Sequence, residues 1–223
     1  MGILPEDGQS GGYSQSFYDL NFDKSAFKTF INNAGISENV LFTSVFAYTL
    51  SQFVEGDKVL FTMIENGRDR FNNDNFIGMT SNVLPLVVDC NNQSISSFME
   101  EMADTVNRTL RYSYYPILQL YQRYDFEVNI LFQFVPNWIA DDYIDMGDFA
   151  SEEITNLVLD KFHDFLSEFF VQIYQNGDDY RIIFTKSNKY SDDMIRDFKD
   201  IYTSVLSNII NQDMFSDLSS TLK

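Results

Sequence analysis

Two hydrophobic periods alternate along this chain, and each marks its own elements. Asp23 is placed to cap a helix over about Lys24 to Asn33, where Ala26, Phe27, Phe30 and Ile31 share one side and Gly35 supplies the stop. Ser37 caps a second helix in which Val40, Leu41, Val45, Phe46 and Leu50 face one way. Its far side is also apolar, which predicts a buried helix. Ser94 caps a third, long helix with Ile95, Phe98, Met102, Val106 and Leu110 on one stripe. Pro116 interrupts, and a short helix follows to about Tyr124. Ser191 caps the last helix, amphipathic through Ile195, Phe198, Ile201, Tyr202, Val205, Leu206 and Ile209.

Between these helices the pattern reads as strand. Tyr13 to Leu20 is extended, Lys58 to Glu65 is a strand of the buried type, and Thr80 to Val88 is another in which Pro85 implies an edge or a bulge. Glu127 to Phe134 follows, and Phe165 to Tyr174 and Tyr180 to Lys186 flank Asn176-Gly177, a hairpin signal. Asn66 to Phe76 and the long, acidic, poorly periodic Pro136 to Asn156 read as loops. Helix and strand alternate first, then a hairpin and a helix close the chain. The expected architecture is therefore α/β, a two-layer sandwich with a mixed β-sheet and packed helices. Residues 1–12 are rich in Gly, Ser, Pro and Asp and read as a linker or tether, leaving 13–223 as one unit.

Composition then narrows the chemistry. Lys and Arg number 15 against 33 Asp and Glu, a net charge of −18, which argues against nucleic acid and against anionic membranes as partners. The first ten residues hold no basic segment followed by an apolar run, so no secretory signal is read there, and no apolar run approaches a spanning length. A single cysteine, Cys90, fits a reducing compartment, and a cytoplasmic location is expected. One histidine, His163, and that one cysteine leave no zinc set at ligand spacing, and no phosphate-binding glycine loop or HExxH occurs. Gly8 to Gly12 matches G-x-S-x-G but lacks the strand before it and the helix after it that a nucleophile elbow needs. His163 reads as a surface or structural histidine, Cys90 as a half-buried small residue, and Asp141, Asp142, Asp145 and Asp148 as a solvated acidic face, because Ile144 and Met146 would occupy ligand places of a calcium loop.

One stretch carries a family likeness. Ile77-Gly78-Met79-Thr80-Ser81-Asn82-Val83-Leu84-Pro85-Leu86 resembles the G-x-x-x-N-T-L-P-L-R signature of condensation domains from nonribosomal peptide synthetases. The neighbouring pieces agree in order: the helix from Ser37 to Phe53, the strand ending in Gly67-Arg68, the long helix and Pro-centred short one over Ile95 to Leu120, the strand Phe126 to Pro136, and the closing hairpin and helix from Phe165 to Leu222. There are departures. Val87 stands where the family has Arg, and Tyr112-Ser113-Tyr114-Tyr115-Pro116-Ile117 stands for its His-Gln-Asp-Tyr-Pro-Phe. The family is built from two similar lobes, like chloramphenicol acetyltransferase, and its HHxxxDG motif lies in the first. With one histidine in the chain that motif is absent, so the resemblance implies the carboxy-terminal lobe alone.

The resemblance also implies roles. In the intact synthetase the two lobes form amide bonds between aminoacyl or peptidyl thioesters tethered to carrier proteins, and a lone lobe, lacking the base, is expected to be inactive. No cofactor is expected to bind directly; phosphopantetheine arrives on the partner carrier proteins. Partners implied are the amino-terminal lobe, peptidyl carrier proteins and an adenylation domain, with self-association of the isolated lobe through its exposed face. Gly78, Thr80, Ser81 and Asn82 would line the substrate tunnel or lobe interface. Arg68 either pairs with the aspartate of HHxxxDG across the lobes or is a solvated loop arginine, and Asn82 either orders the acceptor side of the tunnel or satisfies backbone at a strand start. Pro136 and Trp138 would begin the latch that crosses to the other lobe. Two readings stay beside this one: a noncatalytic interaction module derived from such a lobe, and part of a coenzyme A-dependent acyltransferase.

Overall fold

A computed structural model describes residues 4–8, 11–65, 67, 81–91, 93–124, 129–137, 168–212 and 214–222. The order of elements is β1 (Tyr13–Leu20), α1 (Lys24–Ala34), α2 (Glu38–Ser51), β2 (Lys58–Glu65), β3 (Asn82–Asp89), α3 (Ile95–Arg111), α4 (Ile117–Tyr124), β4 (Ile130–Val135), β5 (Phe169–Asn176), β6 (Asp179–Ser187) and α5 (Asp192–Asn211), followed by a 3-10 turn at Leu218–Leu222. The caps are the predicted ones. Asp23 accepts from the N–H groups of Ser25 and Ala26, Ser37 from Val40, Ser94 from Ser97 and Ser191 from Met194. Gly35 ends α1 in the left-handed conformation, at φ 63°.

The six strands form one mixed sheet in the order β1-β6-β5-β4-β2-β3. β2, β4 and β5 run parallel, whereas β3, β6 and β1 pair antiparallel with their neighbours. β3 is an edge strand, as Pro85 requires, since proline has no N–H to give a second ladder. Alternation along the strands sends one set of side chains, including Phe61, Phe132, Phe169, Val171, Phe184 and Tyr180, toward the helices. There Phe46 of α2 lies 5.0 Å from Phe61 and 4.7 Å from Phe132 between ring centroids, and Phe198 of α5 packs on Phe169 at 5.4 Å. α2 is buried on all sides from Val40 to Leu50, as its lack of a polar face predicts. Tyr202 of α5 is wholly buried and donates its hydroxyl to the Phe42 carbonyl at 3.2 Å. The other sheet face carries a polar row: Gln172 donates to Gln133 at 3.1 Å, and Gln15 to Thr185 Oγ1 at 3.0 Å.

Three boundaries differ from expectation. The hairpin turns on Gly177-Asp178, one residue beyond the Asn-Gly signal, because Asn176 pairs with Asp179 in the ladder and Gly177, at φ 62°, takes the first loop position. β4 starts at Ile130 and β5 at Phe169, so Asn129 and Glu168, inside the predicted runs, precede the strands, while residues 127–128 and 165–167 lie outside the described residues. Asn129 explains both: its carbonyl accepts from Glu168 and Phe169 at 2.8 and 3.0 Å, and its amide donates to the Glu168 carboxylate. Residues 4–8 are docked rather than dangling. Leu4 is only 2% exposed, and the Gly8 N–H donates to the Lys189 carbonyl at 2.7 Å. A buried leucine and an ordered backbone bond hold this part of the 1–12 segment, read from composition as a tether, against the domain.

Candidate functional site

Parallel strands bring their carboxyl ends to one side of a sheet, and here that side collects the described candidates. β2 ends at Glu65, opposite Asn82, the first residue of β3. Gly67, buried and at φ 69°, turns the chain away from β2 in a conformation that favours glycine. Ser81, just before β3, is exposed. The Asn82 amide N–H donates to the Ser113 carbonyl, and its Oδ1 accepts from the Val83 N–H at 2.9 Å. Ser113 is itself fixed, its hydroxyl donating to the Leu110 carbonyl at 2.5 Å. Asn82 therefore ties the start of the edge strand to the turn after α3, and both ends of its amide are engaged with backbone.

The same end of the sheet holds the exit of β4. Pro136 follows Val135 directly, and Asn137 then clamps the hairpin: its backbone N–H donates to Gln175 Oε1 at 3.2 Å, its amide donates to the Gly177 carbonyl at 3.0 Å, and its Oδ1 accepts from the Gly177 N–H at 2.9 Å. Gln175 continues the chain of bonds, donating to the Tyr180 hydroxyl at 3.3 Å, which donates to the Glu38 carboxylate at 3.0 Å. Burial, then the Glu38 carboxylate, push the Tyr180 phenol well above its ordinary range, so it remains a donor at neutral pH. The stub of the loop read as a latch thus leaves a rigid base. Asn137, Gln175 and Ser113 escaped the sequence reading, because a lone amide or hydroxyl near a strand end has no spacing signature; only Asn137, next to a proline that stops a strand, offered a hint.

Arg68, Gly78, Thr80, Trp138, His163 and the aspartates from Asp141 to Asp148 lie outside the described residues. Cys90 is described, and its surroundings disfavour the thiolate. Burial pushes its thiol up to about 12, and its sulfur lies 3.6 Å from the Ala47 carbonyl, beneath α2. No group of three or more His, Cys, Asp or Glu among the described residues could hold a metal ion.

A family model described as Condensation domain matches residues 4–216. The chain belongs to the condensation-domain family. Solved relatives share its fold at low identity. The X-domain of teicoplanin biosynthesis, solved in complex with OxyB, superposes at a TM-score of 0.75 with 11% identity, over 99% of this chain and 51% of that one. The condensation domain of the monacolin K polyketide synthase MokA gives 0.71 at 14%, over 97% and 53%. A four-domain nonribosomal peptide synthetase bound to AMP and glycine gives 0.74 at 10%, over 94% of this chain and 18% of that one. The chain therefore spans about half the length of the individual condensation domains it matches, with the mixed-sheet α/β fold of that family. A comparison with curated protein sequences returns no match. No helix among the described residues of this condensation-family chain is long and apolar enough to cross a membrane.

Proposed function

We propose that this chain is the carboxy-terminal lobe of a condensation domain, which in an intact synthetase joins a donor thioester to an acceptor amine, each carried on a phosphopantetheine arm. The observation that carries the reading is a coincidence of two facts. The chain aligns over nearly its whole length with only half of solved condensation domains, and its 223 residues hold one histidine where the family motif needs two in succession. Amide formation requires the amine to lose a proton to a group within hydrogen-bond reach, and alignment of two arms requires walls on both sides. At the described end of the sheet, Asn82 and Asn137 are amides bound to backbone and Tyr180 is a protonated phenol bound to Glu38, so what they offer is orientation. By the family resemblance, Ser81 and Asn82 belong to the tunnel wall, Arg68 is the arginine assigned to pairing with the first lobe, and Pro136 and Trp138 are assigned to the latch. Partner carrier proteins and an adenylation domain belong to the intact assembly.

The test is reconstitution. With carrier-bound donor and acceptor thioesters, the chain alone yields no amide, and addition of a separately produced first lobe bearing HHxxxDG restores turnover. Amide product from the chain alone overturns the reading. A second reading, a noncatalytic module that recruits a partner, draws support from the likeness to the X-domain crystallised with OxyB and from Tyr112 and Tyr114 standing on the surface where the family motif has His and Asp. Tight binding of the first lobe without turnover selects it.

A further inference from the structure

Charge is distributed unevenly over this acidic molecule. Every lysine and arginine among the described residues has a carboxylate within ion-pair distance except three, Arg108, Arg111 and Arg123. Arg108 and Arg111 lie one turn apart on α3, and Arg123 lies on α4. In a chain of 33 carboxylates, these three guanidiniums on neighbouring helices are without a carboxylate at ion-pair distance among the described residues.

Two of the three line a cleft of about 440 Å³ between the β3 edge and the α3–α4 corner. Leu84 and Pro85 form its floor, and Tyr112, Tyr114, Tyr115 and Tyr124 its sides. Tyr112, Tyr114 and Tyr124 are 66%, 70% and 61% exposed, and α4 has no buried residue at all. Arg108 reaches only Thr105 Oγ1, at 3.4 Å, and the Arg123 guanidinium lies 5.6 Å from the centroid of the Tyr124 ring. Exposed tyrosines flanked by arginines are the side chains that dominate binding energy where proteins meet, since they present large contact area with few torsions to freeze.

We propose that this cleft docks an acidic, extended, proline-containing segment of a protein partner. Three features select that occupant. Unpaired arginines in a molecule of net charge −18 call for carboxylates from outside. All three arginines are exposed and spread over two helices, a geometry that suits charges strung along a peptide and offers no enclosed pocket for one phosphate. Pro85 removes a donor from the free edge of β3, which disfavours addition of a further strand, whereas tyrosine-lined grooves accept the polyproline II conformation at low entropic cost. The proposal stands apart from the one-lobe reading, because the lining residues it uses all belong to this chain.

The experiment is fluorescence anisotropy with the full chain and a labelled peptide of repeating Glu-Pro-Leu, beside a Lys-Pro-Leu counterpart. The acidic peptide binds saturably and more weakly as salt rises, and the basic one does not bind. Arg108→Gln with Arg123→Gln weakens binding at least tenfold, as does Tyr112→Ser with Tyr124→Ser. All four side chains are exposed, so an unchanged urea midpoint confirms that each variant is folded. Absence of saturable binding, equal binding of the basic peptide, or variants that bind like the parent chain overturn the proposal. Displacement of the peptide by phosphopantetheine at matching concentration reassigns the cleft to a carrier arm and overturns it. So does sedimentation in which the arginine pair abolishes a dimer, which reassigns the cleft to a second copy.

Discussion

Asn82 shows what one side chain settles. Its amide bridges the first residue of an edge strand to the Ser113 carbonyl, a contact across 31 positions of sequence, and its oxygen holds the next N–H. Removing it takes the Asn82 donor from that carbonyl. Asn82→Ala therefore costs about 1–2 kcal/mol, read as a lower urea midpoint. Asn82→Asp costs more, because it keeps the acceptor for Val83 but sets a carboxylate oxygen against the Ser113 carbonyl. Equal stability of Asn82→Ala and the parent chain would refute the bond. The asparagine stood out in the sequence only through the surrounding signature. Its partner did not, since a backbone carbonyl in a turn has no identity in a sequence. The same holds for Asn137, whose three bonds exist only because β4 and the β5–β6 hairpin end side by side.

At the scale of elements, helices were the easier to read. Each cap was a Ser or Asp followed by a periodic stripe, and local chemistry decides such starts. α2 announced its burial by lacking a polar face, and its consequence is measurable: Phe46→Ala empties a site between Phe61, Phe132 and Phe198 and costs about 3–5 kcal/mol in urea unfolding. A loss under about 1 kcal/mol, the range expected of an exposed site, would contradict the packing. Strand ends were harder, because an apolar run marks what is buried while pairing decides what is strand. Asn129 and Glu168, read as strand, instead bond to each other just before β4 and β5 begin. The hairpin slipped by one residue for a related reason: both Asn176-Gly177 and Gly177-Asp178 satisfy the turn, and the register of eight facing pairs chose.

For the whole molecule, the segment read from composition as a linker or tether is held against the domain over its described part. Leu4 is buried, and Asp7 accepts from the Ser191 N–H at 2.9 Å and from its hydroxyl at 2.6 Å, at the mouth of α5. Burial tends to raise the Asp7 carboxyl, but the Ser191 bonds outweigh it and hold the group below its ordinary 3.8. A carboxyl depressed by folding stabilises the native state above its unfolded pKa, and that contribution disappears as pH falls through the folded value. The difference in urea midpoint between the parent chain and Asp7→Asn is therefore full at neutral pH and shrinks below about pH 4; a difference constant with pH would refute the linkage. The topology has a temporal consequence as well. β1 precedes the other described strands of this sheet, yet its neighbour there is β6, with Tyr13 facing Ser187. During synthesis β1 waits for its partner until β6 has emerged. Closure of the sheet is thus a long-range event, and β1 is exposed to mispairing in the interval.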